Sequence, residues 1–89
     1  MLTLYGTRLC PQCVEALEEL NRRGMEYDYV DIFASTKNLK ALLALRDHRE
    51  EFAQARQEGL IGIPCFLRDD GSVTLSLQDI LEGSFEHGI

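Results

Sequence analysis

Two cysteines separated by two residues, Cys10 and Cys13, are the side chains of this sequence best suited to chemistry. A thiol reacts as its thiolate, and a free thiol with a pKa near 8.5 is only ~3% ionised at pH 7. The N-terminus of a helix favours the thiolate, because unpaired backbone N–H groups and the positive end of the helix dipole face it. The run Cys10-Pro11-Gln12-Cys13 therefore indicates thiol–disulfide exchange if a helix begins there.

The residues after Cys10 have the pattern of a helix N-terminus. Proline is favoured in a first turn, and apolar residues then repeat at threefold spacing, at Val14, Leu17 and Leu20. We expect Cys10 at the N-cap, with the cation Arg8 nearby, to be the attacking sulfur. Cys13 lies one turn later, close enough to attack a mixed disulfide on Cys10, and is the expected resolving cysteine.

Other roles for the cysteine pair stay open. A metal or iron–sulfur carrier could use both thiols, but zinc needs four ligands, and the remaining candidates Cys65, His48 and His87 are not paired in spacing. We therefore predict no metal site. A binding module that has lost turnover is a further alternative. We expect Cys65 to be a small buried hydrophobe and both histidines to be solvated surface groups.

Composition and charge narrow the classes of function. The chain has 89 residues, enough for one domain spanning residues 1–89, and a formal net charge of −6 that disfavours nucleic acid and anionic membrane as partners. No apolar run approaches the ~20 residues that span a bilayer, and no basic leader precedes the first apolar residues, so we expect a cytoplasmic protein. Its three cysteines would then stay reduced rather than form a disulfide scaffold.

Periodicity and turn signals predict the elements that must position the cysteines, in the order β-α-β-α-α-β-β-α. The predicted strands are Met1–Tyr5, Met25–Ile32, Ile61–Leu67 and Val73–Leu75. The predicted helices are Pro11–Arg23, a second that begins at Ser35 or Thr36 and reaches about Arg46, Asp47–Glu58, and a last short helix that Ser76 caps and that runs through Leu81. Strands joined across helices early and a hairpin late predict a mixed sheet with helices on both faces.

Local signals set the predicted boundaries. Gly24 suits a left-handed C-cap, and Asp47 with Glu50 resembles a capping box that would start a separate helix. Gly83 should end the last helix, and Asp69-Asp70-Gly71 should form the hairpin turn. Tyr27 and Tyr29 are expected to pack on the sheet rather than to form a stacking platform.

Ile63-Pro64 is the second informative pair of residues. A proline at the start of a core strand costs a ladder hydrogen bond, so it indicates a conformational role. We expect the Ile63–Pro64 bond to be cis and the Ile63 backbone to face Cys10, where an extended thiol-bearing substrate could pair with it.

Together these motifs resemble the glutaredoxin family. A first strand, then Cys10-Pro11-Gln12-Cys13 at a helix start, and then Gly62-Ile63-Pro64 before a hairpin match its pattern nearly end to end. The resemblance implies an α/β thioredoxin-like fold of glutaredoxin type, with three layers and a four-stranded mixed sheet flanked by helices. It implies a thiol–disulfide oxidoreductase in which Cys10 is the nucleophile, Cys13 resolves, Pro64 is cis and Ile63 offers its backbone to a glutathione-like peptide.

The sequence departs from the family where glutathione binds. Gln12 stands in place of a usual tyrosine, Thr7 in place of a basic residue that Arg8 could replace, and Leu75-Ser76 in place of a glycine pair. We expect Arg8, Pro11, Gln12, Ile63 and Pro64 to contact substrate. We expect no bound cofactor, a disulfide-containing protein or small thiol as substrate, glutathione or a thioredoxin-type reductase as electron donor, and a monomeric protein.

Overall fold

Four strands and four helices make up this chain in a computed structural model that describes residues 1–86, and side-chain surroundings for residues 1–82. The strands are β1 (Leu2–Gly6), β2 (Tyr27–Asp31), β3 (Cys65–Leu67) and β4 (Val73–Thr74), and the helices are α1 (Pro11–Arg22), α2 (Thr36–His48), α3 (Ala53–Glu58) and α4 (Leu77–Glu86). A single 3-10 turn, Glu50–Phe52, joins α2 to α3. The predicted order of elements is confirmed. Across residues 1–86, no helix is long and apolar enough to cross a membrane.

The strands form one mixed sheet in the order β2-β1-β3-β4. β1 runs parallel to β2, with Leu4 opposite Tyr29, and antiparallel to β3, with Leu4 opposite Phe66. The parallel pair requires the crossover that α1 supplies, and β3 and β4 close the sheet as an antiparallel hairpin. β1 is therefore an interior strand, and the loop that carries Cys10 leaves the sheet at the carboxyl end of β1.

Each face of the sheet is covered by its own core cluster. The cluster under α1 and α4 contains Leu4, Ala16, Leu17, Leu20, Phe66 and Ile80. The cluster under α2 and α3 contains Ile32, Leu42, Phe52, Ala55, Cys65 and Val73. Neighbouring strand residues such as Cys65 and Phe66 belong to opposite clusters because successive side chains of a strand point to opposite faces. The predicted three-layer arrangement, with helices on both faces of the sheet, is confirmed.

Several predicted turns and caps are present. Gly24 has φ 68° and follows the last turn of α1, where the Met25 N–H donates to the Leu20 carbonyl at 3.0 Å. The Ser35 hydroxyl accepts from the Asn38 N–H at 3.1 Å and caps α2. Gly71, at φ 88°, completes the hairpin turn between β3 and β4.

The predicted helix Asp47–Glu58 is wrong at its start. Asp47 lies inside α2, which continues to His48, and the helical path breaks at Arg49, where φ is −90° and ψ is 137°. After the break, Phe52 is fully buried in the core. Burial of a large aromatic ring is worth more than one capping box, so tertiary packing places the break two residues later than the local signal does.

The predicted strand Ile61–Leu67 is also too long, because only Cys65–Leu67 pairs in the sheet. Gly62 has φ 91°, which is incompatible with a strand, and an added Cβ there would lie 2.7 Å from the Phe52 ring. The Ile63–Pro64 bond is cis, as predicted. Residues 61–64 therefore form an irregular segment in front of β3.

Smaller differences concern element ends. Gly83 does not end α4, which continues to Glu86, since a glycine inside a helix costs only about 1 kcal/mol relative to alanine. β2 is shorter than predicted and β4 ends at Thr74, so Leu75 lies outside the sheet. Ser76 caps α4 as expected, accepting from the Asp79 N–H at 3.3 Å.

Two arginines anchor the segment that leads to residues 61–64. The Arg46 guanidinium donates from Nε and Nη2 to the Leu60 carbonyl, at 2.9 and 2.6 Å. Arg56 Nη1 donates in turn to the carbonyls of Arg46 and Arg49, at 2.6 and 2.9 Å. The guanidinium groups thus connect α2, α3 and the backbone after Gly59.

Replacing Arg46 by methionine should loosen this segment. The Leu60 carbonyl would lose its charged donors while the aliphatic packing is kept, so we expect the free energy of unfolding to fall by about 1–3 kcal/mol. Chemical denaturation measures the change. Lys40→Met, an exposed position on the same helix, is the matched control, and an equal loss in both variants would contradict the anchoring role.

Candidate active site

Cys10 and Cys13 lie where β1 passes into α1. Cys10 is the N-cap of α1, with φ −102° and ψ 117°, and its carbonyl accepts from the N–H groups of Cys13 and Val14 at 3.0 and 3.1 Å. Its side chain makes no capping hydrogen bond. The thiol of Cys10 is partly exposed, whereas that of Cys13 is fully buried. The two sulfurs of the motif therefore differ in their access to a disulfide in solution.

Burial makes the Cys13 thiol harder to ionise than an ordinary cysteine thiol. Burial raises the pKa of Cys13 to about 11. A hydrogen bond to the Thr7 backbone lowers this pKa, and the neighbouring Cys10 thiol raises it. The Cys13 thiol is therefore protonated at neutral pH in the reduced protein.

Gly6, at the end of β1, makes room for Cys13. A Cβ added at Gly6 would lie 2.8 Å from the Cys13 Sγ atom and 3.2 Å from its Cβ. Only glycine allows α1 to approach the strand this closely. The sequence marks Gly6 as the end of a strand, but a tight contact with a residue seven positions later depends on how the helix docks.

Hydrogen bonds to Thr7 hold the loop between Gly6 and Cys10 in place. Thr7 is buried, its carbonyl accepts from the Cys10 N–H at 3.1 Å, and its hydroxyl accepts from the Leu9 N–H at 3.3 Å. Thr7, which replaces the basic residue usual in the family pattern, thus shapes the loop from inside the protein. Its side chain is almost fully buried at the base of the groove beside Cys10.

Arg8 is placed over Tyr29 on the neighbouring strand. Its guanidinium carbon is 5.5 Å from the centre of the Tyr29 ring, a cation–π distance. Burial raises the pKa of Tyr29, and its hydroxyl has no hydrogen-bond partner within the described part of the chain. Tyr27 and Tyr29 both pack against the core under α1, as predicted. Tyr29 also supports the arginine that precedes the motif.

A groove of about 540 Å³ opens beside Cys10. Of the predicted site residues, it brings together Cys10, Gln12 and Ile63. Pro64 is buried and lines a smaller adjoining cleft, of about 240 Å³, which Gln12 and Ile63 share. The predicted contacts Arg8 and Pro11 are exposed but do not line the groove.

Several groove residues were not predicted from the sequence. They are the apolar residues Leu9, Phe33, Leu60, Ile61 and Leu75. These residues come from four separate segments of the chain, and an apolar residue in a loop has no sequence signal that distinguishes a core position from a groove. Two signals could have suggested members of this set: Leu9 is adjacent to Cys10, and Leu75 stands where the family pattern has a glycine of its glutathione site.

The third cysteine has no part in the groove. Cys65 is fully buried opposite Tyr5, and burial raises its pKa to about 12. The predicted buried, apolar role of Cys65 is confirmed. His48 is exposed at the end of α2, with Nδ1 3.0 Å from the Ala44 carbonyl, and His87 lies outside the described residues. Among the side chains that the structure describes, those of residues 1–82, no three Cys, His, Asp or Glu residues are grouped so that they could hold a metal ion.

Replacing Gly6 by alanine tests the contact beneath the motif. The added methyl group would overlap the Cys13 sulfur, so we expect the free energy of unfolding to fall by about 1–3 kcal/mol. The same substitution in a Cys13→Ala background should cost less, because the overlapping sulfur is gone. Denaturation of all four proteins in a double-mutant cycle measures the coupling. Strictly additive losses would show that this contact is not the cause.

Burial predicts which thiol reacts. At pH 7.5, iodoacetamide should modify Cys10 in the folded, reduced protein at least about tenfold faster than Cys13 or Cys65, whose buried thiols are held protonated by raised pKa values. In a Cys10→Ser variant, modification of Cys13 should still increase as the pH is raised above 7.5, because burial, the main cause of its raised pKa, remains. Peptide mapping by mass spectrometry assigns each adduct. Comparable labelling of Cys65 at pH 7.5 would contradict the buried geometry.

Comparison with known proteins agrees with this architecture. The sequence profile of the Glutaredoxin family matches residues 2–58, from β1 to the end of α3. An uncharacterized protein from Haemophilus influenzae is 38% identical over 77 residues, which cover 86% of this chain and 90% of that protein. No solved structure matches the chain. A profile match over more than half of the chain, together with a four-stranded mixed sheet flanked by helices, confirms the resemblance inferred from the motifs: the chain belongs to the glutaredoxin family.

Proposed function

We propose that this protein is a dithiol oxidoreductase that reduces disulfides through Cys10 and Cys13. Membership of the glutaredoxin family supports a thiol redox function in general. The observation that carries the specific proposal is the pairing of one partly exposed thiol at the start of α1 with one fully buried thiol a turn later. Exchange chemistry needs an accessible attacking sulfur, and a second thiol one helical turn away can then attack the mixed disulfide.

In the first step, the Cys10 thiolate attacks one sulfur of a substrate disulfide. A bond forms between the Cys10 sulfur and that atom, the substrate S–S bond breaks, and the other sulfur leaves as a thiolate that takes up a proton. The N-terminal turn of α1 presents the positive end of the helix dipole to the Cys10 side chain. This environment supports the negative charge that the attack requires.

In the second step, Cys13 resolves the mixed disulfide. Its sulfur loses a proton and attacks the Cys10 sulfur, so that a Cys10–Cys13 disulfide forms and the second substrate thiolate leaves. The Cys10 thiol raises the pKa of Cys13 in the reduced protein, and this contribution disappears once Cys10 is bound in the mixed disulfide. The resolving sulfur is therefore easier to ionise at the stage where it is needed.

The cycle passes two electrons and leaves the protein oxidised. We propose that glutathione or a thioredoxin-type reductase reduces the Cys10–Cys13 disulfide again, in the cytoplasm, and that the protein works as a monomer without a bound cofactor. The substrate is the disulfide of a protein or of a small thiol. Gln12 and Ile63, beside Cys10, and the adjoining Pro64 are the best placed of the predicted contacts to meet it.

A Cys13→Ser variant should trap the first intermediate. Incubated with oxidised glutathione, or with a small disulfide-containing protein, it should accumulate a mixed disulfide on Cys10, because the resolving sulfur is missing. Intact mass and peptide mapping identify the adduct and its position. The wild-type protein should instead form the intramolecular disulfide, and Cys10→Ser should form neither.

Two results would contradict the proposed function. One is the absence of any adduct on Cys10 with both disulfides, in a Cys13→Ser protein shown by circular dichroism to be folded. The other is a stoichiometric metal ion or iron–sulfur cluster in freshly purified wild-type protein that is lost in both cysteine variants, which would assign the thiols to metal binding.

A further inference from the structure

Exposed apolar side chains of this protein concentrate around the attacking cysteine. Within the described part of the chain, the large hydrophobic side chains that are exposed are Met1, Leu9, Phe33, Leu60 and Ile61. All except Met1 line the groove beside Cys10, with exposed fractions of 81% for Leu9, 55% for Phe33, 54% for Leu60 and 46% for Ile61. Scattered exposed apolar residues are ordinary, but a continuous patch marks a binding surface.

The groove carries no charge of its own. Its remaining lining residues are Thr7, Gln12, Gly59, Gly62, Ile63 and Leu75, so none of its walls has a cationic side chain. Neither Arg46, which donates to the Leu60 carbonyl, nor Arg8, which lies over Tyr29, lines the groove. An anionic ligand such as glutathione, whose carboxylates need cations or N–H groups, therefore finds little complementary charge in a protein of net charge −6.

The rim opposite Cys10 offers free backbone groups. No backbone hydrogen bond within residues 1–86 pairs residues 61–63, which stand between the anchored Leu60 carbonyl and the first paired residue of β3, Cys65. Gly62 is buried and Ile63 is partly exposed at this rim. Unpaired backbone groups next to an apolar surface can hydrogen-bond an extended polypeptide whose side chains enter the apolar surface.

We propose that the groove selects protein disulfides in which apolar residues flank the cysteine, in preference to glutathione. The inference rests on the proposed exchange at Cys10 and assigns specificity to Leu9, Phe33, Leu60 and Ile61. The flanking residues of the substrate bury their side chains against these positions while its sulfur meets Cys10. The exchange itself is unchanged: the reduced protein and a disulfide RSSR give the oxidised protein and two molecules of RSH.

Four disulfides of matched chemistry test the selection. They are the disulfide-linked dimers of acetyl-Ala-Leu-Cys-Leu-Ala-amide and of acetyl-Ala-Ser-Cys-Ser-Ala-amide, oxidised glutathione, and 2-hydroxyethyl disulfide as a small neutral reference. Under excess disulfide, acid quenching and alkylation measure how fast the reduced protein forms its Cys10–Cys13 bond. The leucine peptide should react at least about tenfold faster than the serine peptide and than glutathione, as expected for burial of one or more apolar side chains.

Groove variants connect the selection to named residues. Phe33→Ser and Leu60→Ser should each lower the ratio of the leucine-peptide rate to the serine-peptide rate by about threefold or more, because each removes apolar surface from the groove. Ala41→Ser, an exposed position of α2 outside the groove, is the control and should keep the wild-type ratio. Circular dichroism confirms that each variant is folded.

The outcomes separate this inference from the proposed function. Equal rates for the leucine and serine peptides, or a faster reaction with glutathione, would overturn the selection while exchange at Cys10 stands. A folded, reduced protein that none of the four disulfides oxidises would overturn the exchange function and the selection with it. A dimer in sedimentation velocity that Phe33→Ser dissociates would assign the groove to a second copy of this chain and would also overturn the proposal.

Discussion

The close contact between α1 and the end of β1 is the constraint on which the site depends. Gly6 has no side chain, and Cys13 occupies the space that a methyl group there would fill. This contact places the first turn of α1 directly after an interior strand of the sheet. Cys10 consequently lies partly exposed at the helix N-terminus, whereas the Cys13 thiol is buried between α1 and the sheet.

The three cysteines show how one residue type takes three roles through burial. Cys10 is partly exposed at a helix N-terminus and faces a groove. Cys13 is buried next to it, with a pKa raised to about 11 that responds to its neighbour. Cys65 is buried in the opposite core, with a pKa raised to about 12 and no thiol beside it to exchange with. The reactivity expected of each thiol therefore depends on its burial and on its position in the fold, and the presence of a cysteine in the sequence is not enough to predict it.

The opposite wall of the site depends on side chains from the second face of the sheet. Arg46 holds the Leu60 carbonyl, and the ring of Phe52 lies against Gly62. These contacts hold residues 61–63 beside Cys10 without pairing their backbone into the sheet. The core under α2 and α3 thus supports the side of the groove formed by residues 61–63, while the core under α1 supports the side that carries the thiols.

Local patterns in the sequence determined the order of elements, the start of α1 at Pro11 and the position of the cysteine pair, because proline geometry, capping and apolar periodicity act within a turn or two of the chain. Tertiary structure alone decided the rest. The break after α2 follows the burial of Phe52, and the groove gathers residues as distant as Leu9 and Leu60. The position of this break and the set of groove residues depend on which apolar surfaces pack together across the sheet. That packing joins residues far apart in the sequence, so local sequence patterns do not predict it.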